Sequence, residues 1–329
     1  MADEKSGHAI HGREDSCVRN YFATLPGGLR PVDRPSVTGV TEWIDLTRRA
    51  AFASHRLVGW IFWDPGAKAN LASLGVPDGL GHYIVNRAAP LAAAGPEVVT
   101  AAFFSIAPEL VGFALDHAAP HVSWRDVTVA RDAAVVDGLR RIAPEVAAPL
   151  ESLASDLWRT VDALPVAGRA LFAAHKAWPR PDDPLASAWN AVNAIREWRG
   201  DVHWAILVAE GIGPIEAGLL HDAWMGYPDH WLPKSRGASE LQIAEGLAAL
   251  ASRGLADEDR VNGRGVAWRQ DIEDRTDRLC APAWEAFGES NVLAFLRAVE
   301  PVGDRFLAHI DATAGDLWMP AARARRPRK

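Results

Sequence analysis

Apolar residues recur three or four positions apart along most of this chain, the spacing that places them on one face of an α-helix. The segment 41–63 is the first with this pattern, and Pro, Gly, Ser and Asp residues supply boundaries for those that follow. We predict further helices over 65–75, 78–87, 95–106, 108–117, 124–142, 144–164, 166–178, 185–200, 201–211, 214–226, 239–256, 266–288 and 291–312. Because no segment alternates apolar and polar residues over the length of a long strand, the predicted fold class is mainly α.

Clusters of Pro and Gly divide the chain. They predict an extended N-terminal arm over 1–40 and a linker at the Pro-rich segment 179–184. Two domains follow from this division, a helical domain over 41–178 and a second helical domain over 185–317. The last residues, 318–329, are basic and are predicted to be disordered.

The second predicted domain has a characteristic order of elements. Two short helices precede a helix that begins with a capping box at Ser239 and Gln242 and ends in Leu250–Leu255. A polar turn over 256–265, with room for a minimal two-stranded β wing, leads into a long helix rich in Arg and Asp. This order resembles the winged helix-turn-helix of MarR-like regulators. The resemblance implies that 239–253 is the recognition helix, that 256–265 is the wing, and that the long helix packs in a homodimer.

A longer resemblance covers the chain from about His55 to Val302. It is similar to an actinobacterial family of winged helix-turn-helix proteins, and the residues that carry it are Asn86–Val111, Trp198–His221, Leu250–Asp259 and Asp271–Trp284. The family has no settled biochemical role, so the resemblance implies a fold and leaves the activity open.

The charge of the chain argues against DNA as the partner. It has 35 Lys and Arg residues against 42 Asp and Glu, a net charge of −7. The recognition helix carries Glu240 and Glu245 against Arg253, with Gln242 as its only amide, and the wing has three acids and two arginines. Because DNA-binding domains present Lys and Arg to phosphate, we do not expect this domain to read DNA, although the basic tail 318–329 could contact a phosphate.

Other classes of site and compartment receive little support. No apolar run approaches the ~20 residues of a membrane span, and Cys17 and Cys280 lie far apart, so we expect a cytoplasmic protein that does not cross a membrane. His117 and His121 are a weak metal pair without a third ligand nearby, and no metal is predicted. No nucleotide or hydrolase motif is present, so no cofactor is predicted.

The aromatic composition raises the alternative of a ligand pocket. The chain has 14 Trp but 3 Tyr, and Trp suits both cores and pockets for planar ligands. Helix-spaced aromatics pack in a core more often than they line a pocket, so both interpretations stay open. The candidate ligand-binding residues are Trp60, Trp63, Tyr83, Asn86, Arg87, Phe103, Phe104, Arg199 and Trp204. Among them, Arg87 is placed to pair an anionic group of a ligand.

A polar cluster between the two short helices is the candidate for catalysis. It consists of Asp201, His203, Glu216 and His221, with either histidine as general base and either acid as its orienting partner. The structural alternative is that Asp201 caps a helix after Gly200 and that Glu216 favours the positive end of the next helix. Glu216 and His221 lie about 140° apart around a helix, so they do not share one face.

These observations lead to one preferred function and two alternatives. We expect the chain to bind a small apolar or aromatic metabolite at the junction of its two halves, with catalysis by the polar cluster as one alternative. The other alternative is a MarR-like, ligand-responsive transcriptional regulator. A small-molecule ligand is the expected partner in each case.

Overall fold

The computed structural model describes residues 37–76 and 80–314. The predicted arm up to residue 36, the predicted cap at Asp78 and the basic tail 318–329 lie outside these residues. The last residues assigned to the extended arm are helical, because the first helix begins at Val37.

The mainly α fold class is confirmed. The α-helices of the described residues are α1 (Val37–Gly59), α2 (Pro65–Ser73), α3 (Leu80–Ala88), α4 (Pro96–Phe103), α5 (Pro108–Ala118), α6 (Trp124–Ile142), α7 (Ala147–Ala163), α8 (Ala170–Ala177), α9 (Pro184–Ala209), α10 (Pro214–Met225), α11 (Trp231–Ser235), α12 (Glu240–Ser252), α13 (Gly263–Phe287), α14 (Glu289–Val299) and α15 (Gly303–Ala314). Short 3-10 turns occur at Trp60–Phe62, Ala92–Ala94, Pro144–Val146 and Glu300–Val302. Among the described residues none of these helices is long and apolar enough to cross a membrane.

The longest helix, α9, corrects a predicted boundary. It runs without a break from Pro184 to Ala209, whereas the sequence pattern predicted that one helix ends at Gly200 and another begins at Asp201. Asp183 is the N-cap, because its carboxylate accepts hydrogen bonds from the amides of Leu185 and Ala186 at 2.9 and 3.0 Å. A mid-helix glycine costs only about 1 kcal/mol, which the burial of the surrounding turns offsets.

Helix α9 is the centre of the molecule. It packs against α7, α8, α13 and α6, and Trp189 and Trp198 on it are buried. The same apolar core contains Trp60 from the chain before the Pro-rich segment and Trp284 from the chain after it. The described residues from Thr41 to Ala314 belong to one compact unit, and independent folding of 41–178 and 185–317 stays a prediction.

The helix-turn-helix elements follow α9 in the predicted order. Ser239 opens α12 with the expected capping box, since Gln242 Oε1 accepts from the Ser239 amide at 2.9 Å and Ser239 Oγ accepts from the Gln242 amide at 3.3 Å. The wing has no strand among the described residues and is reduced to one antiparallel bridge between Ala256 and Val261. The long helix α13 packs against α9 and α7 of its own chain, and its part in a homodimer stays a prediction.

The segment after α10 differs from the prediction of a plain loop. It contains the short helix α11, whose first turn is held by the Asp222 carboxylate. Asp222 accepts a hydrogen bond from the Leu232 amide at 3.0 Å. A side chain ten positions earlier in the sequence thus fixes this turn, which no local pattern signals.

Candidate functional site

A partly open cavity of about 610 Å³ lies between α1, α3, α9, α10 and α13. This volume is in the range of small-molecule sites, which run from about 300 to 1,000 Å³. Its walls combine aromatic rings with charged groups, and eight arginines face it against four carboxylates. Burial holds the histidines that line it neutral, so the arginines and carboxylates alone set the charge of the walls. With eight arginines against four carboxylates, this charge is positive.

One side of the cavity is formed by a buried ion pair between α3 and α9. Arg87 contacts Glu197 through two hydrogen bonds, Nε to Oε1 at 2.9 Å and Nη2 to Oε2 at 2.7 Å. Arg196 Nη1 also donates to Glu197 Oε1, at 2.5 Å. Burial alone would raise the pKa of Glu197, but the two guanidinium groups hold it well below its usual range. One carboxylate thus balances two buried cations, which leaves local positive charge.

A second charged group joins α9 to α13. Arg199 Nη2 donates to Glu273 Oε2 at 2.6 Å and to Asp277 Oδ1 at 3.1 Å. Arg269 Nη2 donates to Glu273 Oε1 at 2.6 Å. Arg48 from α1 contacts the other oxygen of Asp277 at 3.2 Å. These carboxylates therefore hold three arginines at the cavity wall.

Arg236, which follows α11, has a different environment. Its guanidinium donates to the hydroxyl of Ser105, and none of its contacts among the described residues is an ion pair. Its backbone carbonyl accepts from the amide of Ala107 at 2.9 Å, which ties the helix-turn-helix region to the N-terminal helices. Burial lowers the pKa of Arg236, yet at neutral pH it remains a cation at the cavity.

Several N–H groups at the cavity have nothing to bind. Five buried side-chain nitrogens that belong to cavity-lining residues lack a hydrogen-bond partner among the described residues: Arg196 Nε, Arg199 Nε, Trp204 Nε1, His221 Nε2 and Arg269 Nη1. An unsatisfied buried donor costs about 1–3 kcal/mol. A group of such donors around one cavity is the arrangement expected where an acceptor-rich ligand binds.

Two of the four predicted catalytic residues line the cavity, and the other two do not. His203 and His221 line the cavity, while Asp201 and Glu216 are absent from its walls. Asp201 lies in the middle of α9 and accepts from the Phe172 amide at 2.9 Å, so it caps the first turn of α8 instead of its own helix. Burial raises the pKa of Asp201 to about 6. Among the described residues no hydrogen bond or ion pair joins either acid to a cavity histidine, so the structure does not show the predicted acid–histidine pairing.

Four of the nine predicted pocket residues line the cavity, and the other five do not. Tyr83, Arg87, Arg199 and Trp204 line the cavity. The others lie outside its walls: Trp60, Trp63, Asn86, Phe103 and Phe104. Trp60 is fully buried and stacks on Phe306 at 6.2 Å between ring centroids, and a Cβ added to Gly138 would lie 2.2 Å from its ring. No space for a ligand exists at that point, so Trp60 is a core residue.

Two of the remaining aromatic residues support the cavity from behind. Phe104 stacks on Trp204 at 4.9 Å between centroids, nearly parallel. Phe103 lies under the guanidinium of Arg87 at 4.6 Å. These contacts fix the orientation of side chains that do face the cavity. The sequence pattern identified aromatic residues near the cavity, but it did not show which of them line the cavity and which pack behind the lining residues.

Most charged wall residues were missed by sequence reasoning. Arg196 and Glu197 lie just before Arg199 in the sequence. Arg269, Glu273 and Asp277 follow one another at intervals of four residues along α13. A four-residue repeat of charges was a usable signal, because such residues share one helix face. The pattern did not show which face was buried, since a charged strip more often faces solvent.

The described residues hold no group of three or more His, Cys, Asp or Glu side chains with metal-binding geometry. Cys280 lines the wall, and burial raises the pKa of its thiol to about 12, so it remains a protonated thiol at neutral pH.

The exposed surface of the helix-turn-helix carries acidic, basic and apolar residues. On α12, Glu240 and Glu245 are exposed, and Leu241 is exposed to 69%. Gln242, the only amide on this helix, is used in the capping box. The wing exposes three acids beside Arg260 and Arg264. Base reading needs donors on the exposed face of the recognition helix, and here that face is apolar and acidic.

The order of α10, α12, the wing and α13 defines a helix-turn-helix protein with a large helical N-terminal part. The sequence model of a helix-turn-helix family matches residues 47–313, which is most of the chain, and the chain belongs to this family. No curated protein and no solved structure matches it.

Proposed function

We propose that this protein binds a small planar anion in this cavity. The observation that carries the proposal is the group of five unpartnered buried donors around an arginine-rich cavity of about 610 Å³. A carboxylate or a similar anion accepts from several N–H groups at once and is attracted by the excess positive charge. An apolar or a cationic ligand would leave these donors unpaired.

The aromatic walls support a planar ligand. Phe62, Tyr83, Trp204, Trp224 and Trp284 all face the cavity. The rings of Phe62 and Tyr83 pack edge to face at 5.0 Å, so they form a rigid apolar surface. Flat aromatic ligands gain contact area against such walls without ordering flexible side chains.

The charge requirement can be tested with ligands of one shape and different charge. 2-Naphthoate, 2-naphthamide and 2-naphthamidine are nearly isosteric and are an anion, a neutral molecule and a cation. We expect 2-naphthoate to bind at least about 10-fold more tightly than 2-naphthamide, and the amidine not to bind, because charge-assisted hydrogen bonds are roughly twice as strong as neutral ones. Calorimetry and Trp fluorescence measure the affinities.

Arg236 provides the variant for this test. Arg236→Gln removes a cavity cation without leaving a buried carboxylate unpaired, so we expect an unchanged melting temperature and roughly 10-fold weaker 2-naphthoate binding. Arg260→Gln is the matched control, since the side chain of Arg260 is 78% exposed on the wing. Equal affinity for the acid and the amide, or an effect of Arg260→Gln as large as that of Arg236→Gln, would contradict the proposal.

The second candidate function is a MarR-like regulator that responds to the cavity ligand. Membership of a helix-turn-helix family favours it, and the acidic exposed face of α12 opposes it. We expect no retention of a labelled mixed-sequence DNA duplex in a gel-shift assay at about 20 mM salt, where phosphate contacts are strongest. Salt-dependent binding that is lost in Arg260→Ala/Arg264→Ala would instead establish the regulator.

A further inference from the structure

We propose that His203 and His221 form a fixed pair of opposite hydrogen-bonding character, acceptor and donor, which selects an aromatic hydroxy acid. This inference rests on the proposed function, because it specifies the anion that the cavity takes. The ligand class is a planar carboxylate with a hydroxyl group at its far end. His221 and the arginines bind the carboxylate, and His203 accepts the hydroxyl proton in a hydrogen bond.

The donor character of His221 follows from its neighbour. Arg269 Nη2 lies 3.2 Å from His221 Nδ1. A guanidinium can only donate, so Nδ1 must be the unprotonated nitrogen of a neutral ring. The ring proton therefore lies on Nε2, and Nε2 is one of the buried cavity nitrogens without a partner. His221 offers this N–H to a ligand as a donor.

The acceptor character of His203 follows from Thr276. The Thr276 hydroxyl donates its only hydrogen to the Ile272 carbonyl at 2.7 Å. Its oxygen, 3.0 Å from His203 Nδ1, is then left to accept, so the ring proton of His203 lies on Nδ1. This assignment makes Nε2 a lone-pair acceptor, and it is the ring nitrogen left for a ligand.

The environment keeps both rings neutral, so this pattern does not reverse at neutral pH. Burial and the Arg269 cation lower the pKa of His203 to about 3, and the same two causes lower that of His221. A base this weak accepts a hydrogen bond but is poorly suited to remove a proton, since a general base works best with a pKa near the working pH. The geometry therefore supports recognition.

The two supports lie apart along one helix. Arg269 and Thr276 are two turns apart on α13, about 10 Å along the helix axis. The two rings are therefore held by separate turns of α13, and the proposal takes an aromatic acid whose hydroxyl and carboxylate lie at opposite ends. 6-Hydroxy-2-naphthoate has this arrangement, whereas 6-methoxy-2-naphthoate has the same oxygen without a proton to donate.

The pair can be tested with these probes. We expect 6-hydroxy-2-naphthoate to bind the wild-type protein at least about 10-fold more tightly than 2-naphthoate or 6-methoxy-2-naphthoate, the gain of one buried hydrogen bond. Thr276→Val removes the oxygen that holds Nδ1–H, and we expect it to abolish this preference while 2-naphthoate affinity changes less than about two-fold. Thr276→Ser keeps the hydroxyl and is the matched control that retains the preference.

A spectroscopic measurement tests the tautomers without any ligand. In ¹⁵N-histidine-labelled protein, long-range ¹H–¹⁵N spectra should show Nδ1–H for His203 and Nε2–H for His221, and Thr276→Val should change only the first. The reverse tautomers, or equal affinity for the hydroxy and methoxy acids, would overturn this inference while 2-naphthoate binding still supports the proposed function. Failure of all the naphthoates to bind would overturn both.

Discussion

Replacing Glu197 by Gln should lower the free energy of unfolding by about 3–5 kcal/mol, the usual cost of removing one member of a buried ion pair. Glu197 is 1% exposed and is the only carboxylate that contacts the guanidinium of Arg87 among the described residues. In the Gln variant Arg87 and Arg196 would remain buried beside a neutral amide. The repulsion between these cations and their lost hydration would then be uncompensated. Denaturant unfolding of the purified protein measures the change.

Glu300→Gln is the matched control for this prediction. Glu300 receives the same two-bond contact from Arg49, at 3.0 and 2.8 Å, but both side chains are about two-fifths exposed. Exposed pairs contribute about 0–1 kcal/mol, so the control should be nearly neutral. Comparable losses in the two variants would show that burial does not set the strength of the Arg87–Glu197 pair.

The second large effect is a loss of stability in mild acid. Burial lowers the pKa of His55 and His203 to about 3 and of His175 to about 4, and that of His221 also lies well below its usual range. Their folded-state pKa values are depressed, so their stabilising effect is present above the unfolded pKa near 6.5 and is lost as the pH falls through it. Each histidine removes about 1.4 kcal/mol per pH unit once the unfolded chain is protonated.

Three buried carboxyl groups oppose this trend. Burial raises the pKa of Asp201 to about 6, that of Asp222 to about 7 and that of Asp277 above its usual value, so the folded state holds their protons where the unfolded state releases them. Their contribution is present at low pH and is lost as the pH rises through the folded pKa. With four histidines against these acids, the net slope between about pH 6 and pH 5 should be positive and at most about two protons, or roughly 3 kcal/mol per pH unit.

Asp222→Asn isolates one of the opposing groups. The amide oxygen keeps the hydrogen bond from the Leu232 amide, and the variant no longer ionises. We expect it to be more stable than the wild type above about pH 7, and the advantage should shrink as the pH falls and vanish below about pH 3, where the wild-type carboxyl is protonated in both states. Chemical denaturation across this pH range provides the comparison. An advantage that does not change with pH, or a wild-type stability that is flat between pH 6.5 and 5, would contradict the assignment.

Both effects have one physical origin, the transfer of ionisable groups into a low-dielectric interior. A protein folds with such a cluster at a cost in stability, and buried ion pairs are seldom stronger than a packed apolar core. On the proposed function, the charged cavity is retained for ligand binding at a cost in folding stability. An anionic ligand that satisfies the free donors would also stabilise the folded state in proportion to its affinity.

The comparison of sequence and structure is clearest at Asp201 and Glu216. The sequence predicted that Asp201 is the N-cap of a helix after Gly200, but α9 continues through Asp201 and its carboxylate accepts from the Phe172 amide of α8, a contact that crosses 29 positions. Glu216 was paired with the histidines only through its place in the sequence. His203 and His221 were identified as members of a polar cluster, although their supports on α13 gave no local signal.

The features that were predicted correctly from the sequence are local ones. Helix periodicity, the Ser239 capping box, the net acidity of α12 and the abundance of buried Trp can all be read from residues a few positions apart, because backbone hydrogen bonds and helix faces repeat over one turn. Which charged side chains form ion pairs with one another depends on the tertiary structure. Arg87 and Glu197 are 110 positions apart, and their contact depends on how α3 crosses α9. Crossing geometry follows from the packing of whole helix surfaces, so one cavity and its set of free donors emerge only when the helices are assembled.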